Sequence, residues 1–275
     1  MDENKKNEMI NFDKAEDLML SFATSKGNLP KWHIGDYWYK VDAFGYENLA
    51  ECVISDLLEY SNVDSFVHYD LINGIFNNKI TNFSKSKSFI NENETLITFY
   101  RLYFLNTGNE IEKDIIKHNN ITERIKYVVD FIQSMVNGID ISRQLTKIME
   151  LDMFFLNEDR HFNNLALIRN EEKSFSFAPI FDNGLSLLSD LNEYDQNKDI
   201  YKCIDEIKGK PFSTSLEEQC MAAESLYGQQ LYFNFSNNDI QLVLEKYKNY
   251  YDDIIIKRVE NILCEQRRKY SYLFS

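Results

Sequence analysis

The sequence has little proline, glycine or cysteine, with 3 Pro, 9 Gly and 4 Cys among 275 residues. This composition excludes collagenous and low-complexity chains, and a hydrophobic content of 44% argues against intrinsic disorder. The cysteines lie far apart, without a CxxC pair or a nearby His, at positions Cys52, Cys203, Cys220 and Cys264. They indicate free thiols in a reducing compartment and not a zinc site. The length suits one large globular domain or two small ones.

Positive charge and long apolar runs are also scarce. Lys and Arg total 30 against 44 Asp and Glu, which gives a formal net charge of −14. Such a field repels phosphate backbones and disfavours direct binding of nucleic acid or of an anionic membrane. The N-terminus carries no apolar signal core, and no stretch approaches the ~18 apolar residues of a membrane span. We therefore expect a cytoplasmic protein.

The first part of the chain has the pattern of a small antiparallel sheet with one helix. DYWYKV, from Asp36 to Val41, alternates its apolar side chains and predicts a strand. The following ENLAECVISDLLEY has helical spacing, with Asn48 as its expected N-cap. FVHYDLI, GIFNNKITNF and ETLITFYRLYFL are rich in aromatic and β-branched residues, which favour strands. We expect a β-rich region up to about residue 107.

The second part is predicted to be mainly helical. ITERIKYVVDFIQSMV and ISRQLTKIMELDMFFL carry apolar residues at spacings of three and four, and the C-terminal region ends in the long helical pattern LVLEKYKNYYDDIIIKRVENIL. Two short strand-like runs interrupt the helices, LALI at 165–168 and FSFAPIF at 175–181, joined by a charged turn. They predict a β-hairpin between helices. The fold class is therefore α+β, divided near residue 107.

Oxygen-bearing side chains cluster at the edges of this predicted hairpin, in LNEDRHFNN before it and FDNG after it. Because a hairpin brings its two ends together, Asn164 and Asp182 can converge on one divalent ion. Mg²⁺ prefers few protein oxygens together with waters and phosphate oxygens, which suits one carboxylate and one amide. Asp159 would then be available to accept a proton. The competing interpretation is that these residues cap a helix or close Asx turns.

The two motifs resemble those of the HipA-like serine/threonine kinases. DRHFNN is similar to the DxHxxN catalytic loop of that family and FDNG to its metal-binding turn, and the pair is far more specific than either half. The resemblance implies a bilobal protein-kinase-like fold, with an N-lobe at 1–107 and a helical C-lobe at 108–275. It implies ATP and Mg²⁺ as cofactors, Asp159 as the catalytic base, and Asn164 and Asp182 as metal ligands.

The resemblance extends upstream and covers about residues 25–215. Lys40 is similar to the phosphate-contacting lysine of the family, and Glu51 to the acidic residue that holds this lysine extended. The simpler interpretation of Lys40 is a solvated strand lysine. The preceding TSKGNLPKW offers Ser25, Gly27 and Lys31 as a phosphate-covering segment.

Other residues near the motifs are expected to have structural roles. His161 is expected to be a packed, hydrogen-bonding residue and Arg160 a salt-bridge residue without chemistry. Gly184 is expected to have a positive φ after the metal-binding turn. The acidic segment 190–206 is expected to be a solvated loop.

The resemblance implies a protein serine/threonine kinase. Two alternatives stay open: a lipid or small-molecule kinase with the same motifs, and a nucleotide-binding pseudokinase. Family members include autophosphorylating kinases, for which Thr24 and Ser25 are the candidate sites here, and toxins held by an antitoxin. An antitoxin or another regulatory protein is therefore a candidate partner. We expect the additional N-terminal subdomain of many HipA-like proteins to be absent.

Overall fold

The structure, a computed structural model, describes residues 9–15, 18–20 and 30–274. Its N-terminal part contains an antiparallel sheet in the strand order β1-β2-β3-β5-β4. The strands are β1 (Leu18–Leu20), β2 (Pro30–Ile34), β3 (Tyr37–Val41), β4 (Tyr69–Phe76) and β5 (Lys79–Lys87). β3 confirms the strand predicted for DYWYKV except for Asp36, and it pairs with β2 on one side and β5 on the other.

One helix, α1 (Glu47–Leu58), packs against β4 and β5 and is buried along nearly its whole length. The prediction that Asn48 caps this helix is wrong, because the N-cap is Tyr46 and Asn48 lies in the first turn. The helix start is instead fixed by two carboxylates. Asp42 Oδ1 accepts the backbone N–H of Asn48 at 2.7 Å, and the Glu47 carboxylate accepts those of residues 43–45.

A separate apolar cluster contains buried side chains of the sheet together with Phe12 of the segment before it. The Phe12 ring stacks on Phe83 with the ring centroids 4.0 Å apart. β4 approaches this ring closely at Gly74, where a Cβ would lie 2.5 Å from Phe12 Cε2. The close approach explains a glycine inside a strand, where it otherwise costs conformational entropy.

The run ETLITFYRLYFL was predicted to be strand, and this is right only for β6 (Thr95–Thr98). The remainder forms α2 (Phe99–Thr107). Thr98 caps this helix by accepting the N–H of Arg101, and Gly108 ends it in the left-handed conformation. The aromatic residues of α2 therefore pack at helical spacing, and cap residues override their strand propensity.

The C-terminal part is helical, as predicted. α4 and α5 confirm the two helices expected from residue periodicity. The long C-terminal pattern is divided into α8 and α9, which are separated by residues 246–252. The elements are α3 (Ile111–Ile115), α4 (Ile121–Met135), α5 (Ile141–Phe155), α6 (Ile200–Glu206), α7 (Leu216–Tyr227), α8 (Asn237–Glu245), α9 (Asp253–Lys269) and a 3₁₀ turn at Ser271–Leu273.

The predicted hairpin is present as β7 (Ala166–Arg169) and β8 (Phe175–Phe177), paired antiparallel with Leu167 opposite Phe177. β6 adds to its other edge and completes a three-stranded sheet. A second short pair, β9 (Lys208–Gly209) and β10 (Thr214–Ser215), follows α6. The expected α+β class, with a β-rich N-terminal region and a helical C-terminal region, is confirmed. Within the described ranges, no helix is both long and apolar enough to cross a membrane.

The two parts of the chain are joined by polar contacts at the loop after α8. Tyr251 Oη donates to Asp42 Oδ2 at 2.6 Å, and Asn82 Nδ2 donates to the carbonyl of Tyr250 at 2.8 Å. Burial, together with the nearby Glu47 carboxylate, raises the pKa of Asp42 to about 7. The Asp42 carboxyl group thus binds its proton more tightly in the folded protein than in the unfolded chain.

This shift predicts that the stability supplied by Asp42 falls as pH rises. Because the pKa of Asp42 is raised in the folded protein, the stability that its protonated form contributes is fully present below the ordinary pKa of Asp. This stability is lost as pH rises through about 7. Relative to the wild type, Asp42→Asn should therefore raise the free energy of unfolding by about 2–3 kcal/mol more at pH 8 than at pH 5. Urea denaturation at both pH values measures this. Asp70→Asn, at an exposed position on β4, is the control, and an equal effect of Asp42→Asn at both pH values would contradict the prediction.

Candidate active site

Lys40 lies at the centre of a cleft between the N-terminal sheet and the hairpin. Its Nζ donates to Glu51 Oε1 and to Asp182 Oδ1, each at 2.6 Å. Burial alone would lower the pKa of Lys40, but the two carboxylates overcome that effect and raise it well above its usual range. The ammonium group is therefore held charged. This arrangement excludes the interpretation of Lys40 as a solvated strand lysine.

Glu51 connects Lys40 to the turn after the hairpin. The Glu51 side chain is 1% exposed, and its second oxygen, Oε2, accepts the backbone N–H of Asn183 at 2.9 Å. Although burial would raise the pKa of Asp182, the neighbouring Lys40 and Lys31 hold it well below its usual range. One helix residue thus fixes both the strand lysine and the turn that carries Asp182.

The turn itself differs from expectation at Gly184. The positive φ of 61° belongs to Asp182, and Gly184 is not among the positive-φ residues. Asp tolerates the left-handed region because its short side chain bonds locally. A Cβ at Gly184 would lie 3.4 Å from the Cβ of Glu47, which is ordinary contact, so sterics do not require glycine there.

The loop after α5 carries the DRHFNN motif. α5 ends at Leu156 in the left-handed conformation, and Asn157 Oδ1 then accepts the N–H of Asp159 at 3.1 Å. Asn164 closes the loop, since its backbone N–H donates to the His161 carbonyl at 2.8 Å and its Nδ2 to the Asp159 carbonyl at 3.3 Å. The loop is therefore held by its own polar groups, with Asp159 only 7% exposed.

Asn164 and Asp182 line the same cleft as Asp159, Lys40 and Glu51. Because the Asn164 amide donates through Nδ2, its Oδ1 is the atom able to ligate a metal. Asp182 uses Oδ1 for Lys40, while its Oδ2 has no hydrogen-bond partner in residues 9–15 and 30–274. Those residues also contain no group of three His, Cys, Asp or Glu side chains arranged to hold an ion. One amide and one carboxylate oxygen fit a Mg²⁺ ion that keeps waters and phosphate oxygens.

Of the expected phosphate-covering segment, only Lys31 can be placed, because Ser25 and Gly27 lie outside the described residues. Lys31 belongs to strand β2, directly opposite Lys40 in the register, and lines the cleft. The Asp182 carboxylate favours the charged form of Lys31, but burial and the repulsion from Lys40 together lower its pKa. Two lysines therefore face Asp182 from neighbouring strands.

Two solved structures have a fold similar to that of this chain. The proinflammatory kinase CtkA of Helicobacter pylori matches with a TM-score of 0.63 at 18% identity, over 96% of each chain. This chain has the fold of the HipA-like kinases. HipA from the Shewanella oneidensis MR-1 toxin–antitoxin complex with HipB and operator DNA matches with a TM-score of 0.53 at 9% identity, over 94% of this chain and 65% of its own. No protein-family model and no curated protein sequence matches this chain.

Arg160 forms the expected salt bridge and also contacts the turn that follows the hairpin. Its guanidinium is buried and bonds Asp152 of α5 through Nε and Nη2, at 2.9 to 3.1 Å. It also donates to the Phe181 carbonyl at 2.7 Å and to Asn183 Oδ1 at 2.5 Å. The expected salt bridge is present, and Arg160 additionally joins the DRHFNN loop to the FDNG turn.

His161 is packed as expected, but the expected hydrogen bond of its imidazole ring is not formed within the described residues. Its side chain is 14% exposed, and neither ring nitrogen has a partner in the described part of the chain. Nε2 lies 3.8 Å from Asp159 Oδ2, beyond hydrogen-bond distance. The ring therefore shapes the loop by its volume.

The segment 190–206 is only in part the solvated loop that its acidity predicted: residues 192–193 and 195–199 are exposed, whereas residues 200–206 form α6. Asp190 is buried, and Tyr194 Oη donates to Glu158 Oε2 at 2.6 Å, directly before the DRHFNN motif. Arg258 of α9 donates to the carbonyls of Tyr194 and Gln196 at 3.0 and 3.2 Å. Partners from distant parts of the chain, Glu158 and Arg258, thus hold this segment, and its local composition cannot indicate these contacts.

Arg160→Met should destabilise the fold strongly, because it leaves the carboxylate of Asp152 buried without its charge partner. Burial already raises the pKa of Asp152 against the opposing effect of Arg160. Removal of one partner of a buried ion pair costs about 3–5 kcal/mol. Arg169→Met, at an exposed position on β7, is the matched control and should cost less than about 0.5 kcal/mol. Urea denaturation gives both values, and similar losses for the two variants would be evidence against this role of Arg160.

Proposed function

We propose that the protein is an ATP- and Mg²⁺-dependent serine/threonine protein kinase of the HipA-like type. The observation that carries this proposal is the double contact of Lys40 with Glu51 and Asp182, in a cleft that Asp159 and Asn164 also line. A lysine held extended by an acidic residue and facing a metal-binding carboxylate suits the phosphates of a bound nucleotide.

In this proposal, Lys40 contacts the α- and β-phosphates of ATP, and Asn164 with Asp182 holds Mg²⁺. When bound there, Mg²⁺ would supply positive charge that offsets the negative charge developing on the phosphates during transfer. Lys31 adds a second cation from the neighbouring strand. The assignment of Ser25 and Gly27 to a phosphate-covering segment remains a prediction.

Asp159 is proposed to orient the acceptor hydroxyl group and to accept its proton. The hydroxyl oxygen forms a bond to the γ-phosphorus while the bond from that phosphorus to the β,γ-bridging oxygen breaks, and ADP leaves. Most of the rate enhancement would come from positioning and electrostatic stabilisation.

We further propose a cytoplasmic location and a regulatory protein as partner. All four cysteines are free thiols, and three of them are buried, which agrees with a reducing compartment. HipA of Shewanella oneidensis was solved with HipB, and an antitoxin-like or other regulatory protein is the corresponding candidate here. Autophosphorylation at Thr24 or Ser25 would be one route of control.

Asp159→Asn should reduce transfer of the γ-phosphoryl group by about 10²–10⁴-fold, because the amide cannot accept the hydroxyl proton. The assay is incubation with labelled ATP and Mg²⁺, on the protein itself and on a cytosolic extract, followed by mapping of phosphorylated residues. Asp205→Asn, at an exposed position on α6, is the control and should retain full transfer.

The same assay discriminates the alternatives. Labelled lipid or small alcohols without labelled protein would favour a lipid or small-molecule kinase. Binding of ATP without any ADP release by the wild-type protein would identify a pseudokinase. Full transfer by Asp159→Asn would refute the assignment of the base.

A further inference from the structure

A second lysine contacts Asp159 from a part of the chain that neither motif includes. Lys210 Nζ lies 3.1 Å from Asp159 Oδ1, and the Lys210 side chain is 35% exposed. Lys210 is 51 residues beyond Asp159 in the sequence, within the connection between β9 and β10. An ammonium group at this distance forms a charge-assisted hydrogen bond with the carboxylate.

The backbone around Lys210 is fixed against the loop that carries Asp159. The Lys210 N–H donates to the Glu158 carbonyl at 3.1 Å. The preceding carbonyl, of Gly209, accepts Gln219 Nε2 at 2.6 Å. Phe212 is buried with its ring at 90° to that of Phe162 in the DRHFNN motif. The backbone that carries Lys210 is therefore held by hydrogen bonds and packing, and its side chain reaches Asp159 from a fixed position.

Close packing at Gly209 also restricts where the lysine can lie. A Cβ at this position would lie 2.2 Å from Leu216 Cδ2 and 3.2 Å from the Asn157 carbonyl oxygen. Glycine thus permits the β9 backbone to approach both α7 and the catalytic loop. This approach places the next residue, Lys210, beside Asp159.

Lys40 and Arg160, two other positively charged side chains near the site, form ion pairs with carboxylates other than Asp159. Lys40 bonds Glu51 and Asp182, and Arg160 bonds Asp152. Among the Lys and Arg side chains that the structure describes, Lys210 is the one that forms an ion pair with Asp159. An ammonium group has three N–H donors, so it can bond the carboxylate and a phosphoryl oxygen at once.

We propose that Lys210 bridges Asp159 and the γ-phosphoryl group during transfer. It holds the Asp159 carboxylate in place and reduces the repulsion between that carboxylate and the incoming phosphoryl oxygens. This role rests on the proposed kinase function. It makes Lys210 a residue of the transfer step, whereas Lys40 and the two metal ligands hold the nucleotide.

The test measures ADP release from ATP and Mg²⁺ under steady-state conditions, with the full chain. Lys210→Met should lower kcat by about 10²-fold, because it removes one charge-assisted donor from the transition state, and should leave KM for ATP within about twofold. Lys210→Arg should recover a large part of kcat, since the charge and a donor are kept. Lys208→Met, two residues away and exposed on β9, is the matched control and should behave as wild type.

Three results would overturn the inference: an unchanged kcat for Lys210→Met, a loss that appears in KM alone, or no recovery by Lys210→Arg. If Lys210→Met does not fold, Lys210→Gln against Lys210→Arg gives the same comparison. In the Asp159→Asn background, loss of the lysine should lower the residual rate by less than it lowers the wild-type rate, because one of its two partners is already missing. Absence of ADP release by the wild-type protein would instead contradict the proposed function itself, and the inference would fall with it.

Discussion

The ion cluster of Lys40, Glu51 and Asp182 is the interaction on which the rest of the site depends. Lys40 lies on a strand, Glu51 on a helix 11 positions later, and Asp182 in a turn 142 positions after Lys40. Glu51 also accepts the N–H of Asn183, so the cluster fixes the turn relative to the N-terminal sheet. Without the lysine, the carboxylates of Glu51 and Asp182 would face each other in a partly buried cleft, where they would repel each other or one would take up a proton.

Because the chain is acidic, the lysines of the site are needed to bind an anionic ligand. A protein with a net charge of −14 must receive an anionic nucleotide through local cations, because its overall field is repulsive. The structure supplies such cations individually: Lys31 and Lys40 face Asp182, and Lys210 faces Asp159. Each acid of the proposed transfer site thus has its own positive partner.

The sequence predicted the parts of the site that lie in short motifs, while contacts between distant segments escaped it. Asp159, Asn164 and Asp182 were identifiable because a hairpin links them, and α4 and α5 because their periodicity is strong. The bonds of Arg160 to Asn183 and of Lys210 to Asp159 span 23 and 51 residues, and no local pattern encodes them. The helix α2 was missed because Thr98 and Gly108 cap a run whose composition favours strand.

We propose that Asp182 and Lys40 form a nucleotide site that depends on a divalent ion. Calorimetric titration of ATP into the protein, with Mg²⁺ and again with EDTA, tests this most directly. We expect Mg²⁺ to tighten ATP binding to the wild-type protein by about tenfold or more, and Asp182→Asn to abolish this dependence on Mg²⁺. Equal ATP affinity in Mg²⁺ and EDTA for the wild-type protein, or an undiminished Mg²⁺ effect in Asp182→Asn, would contradict it.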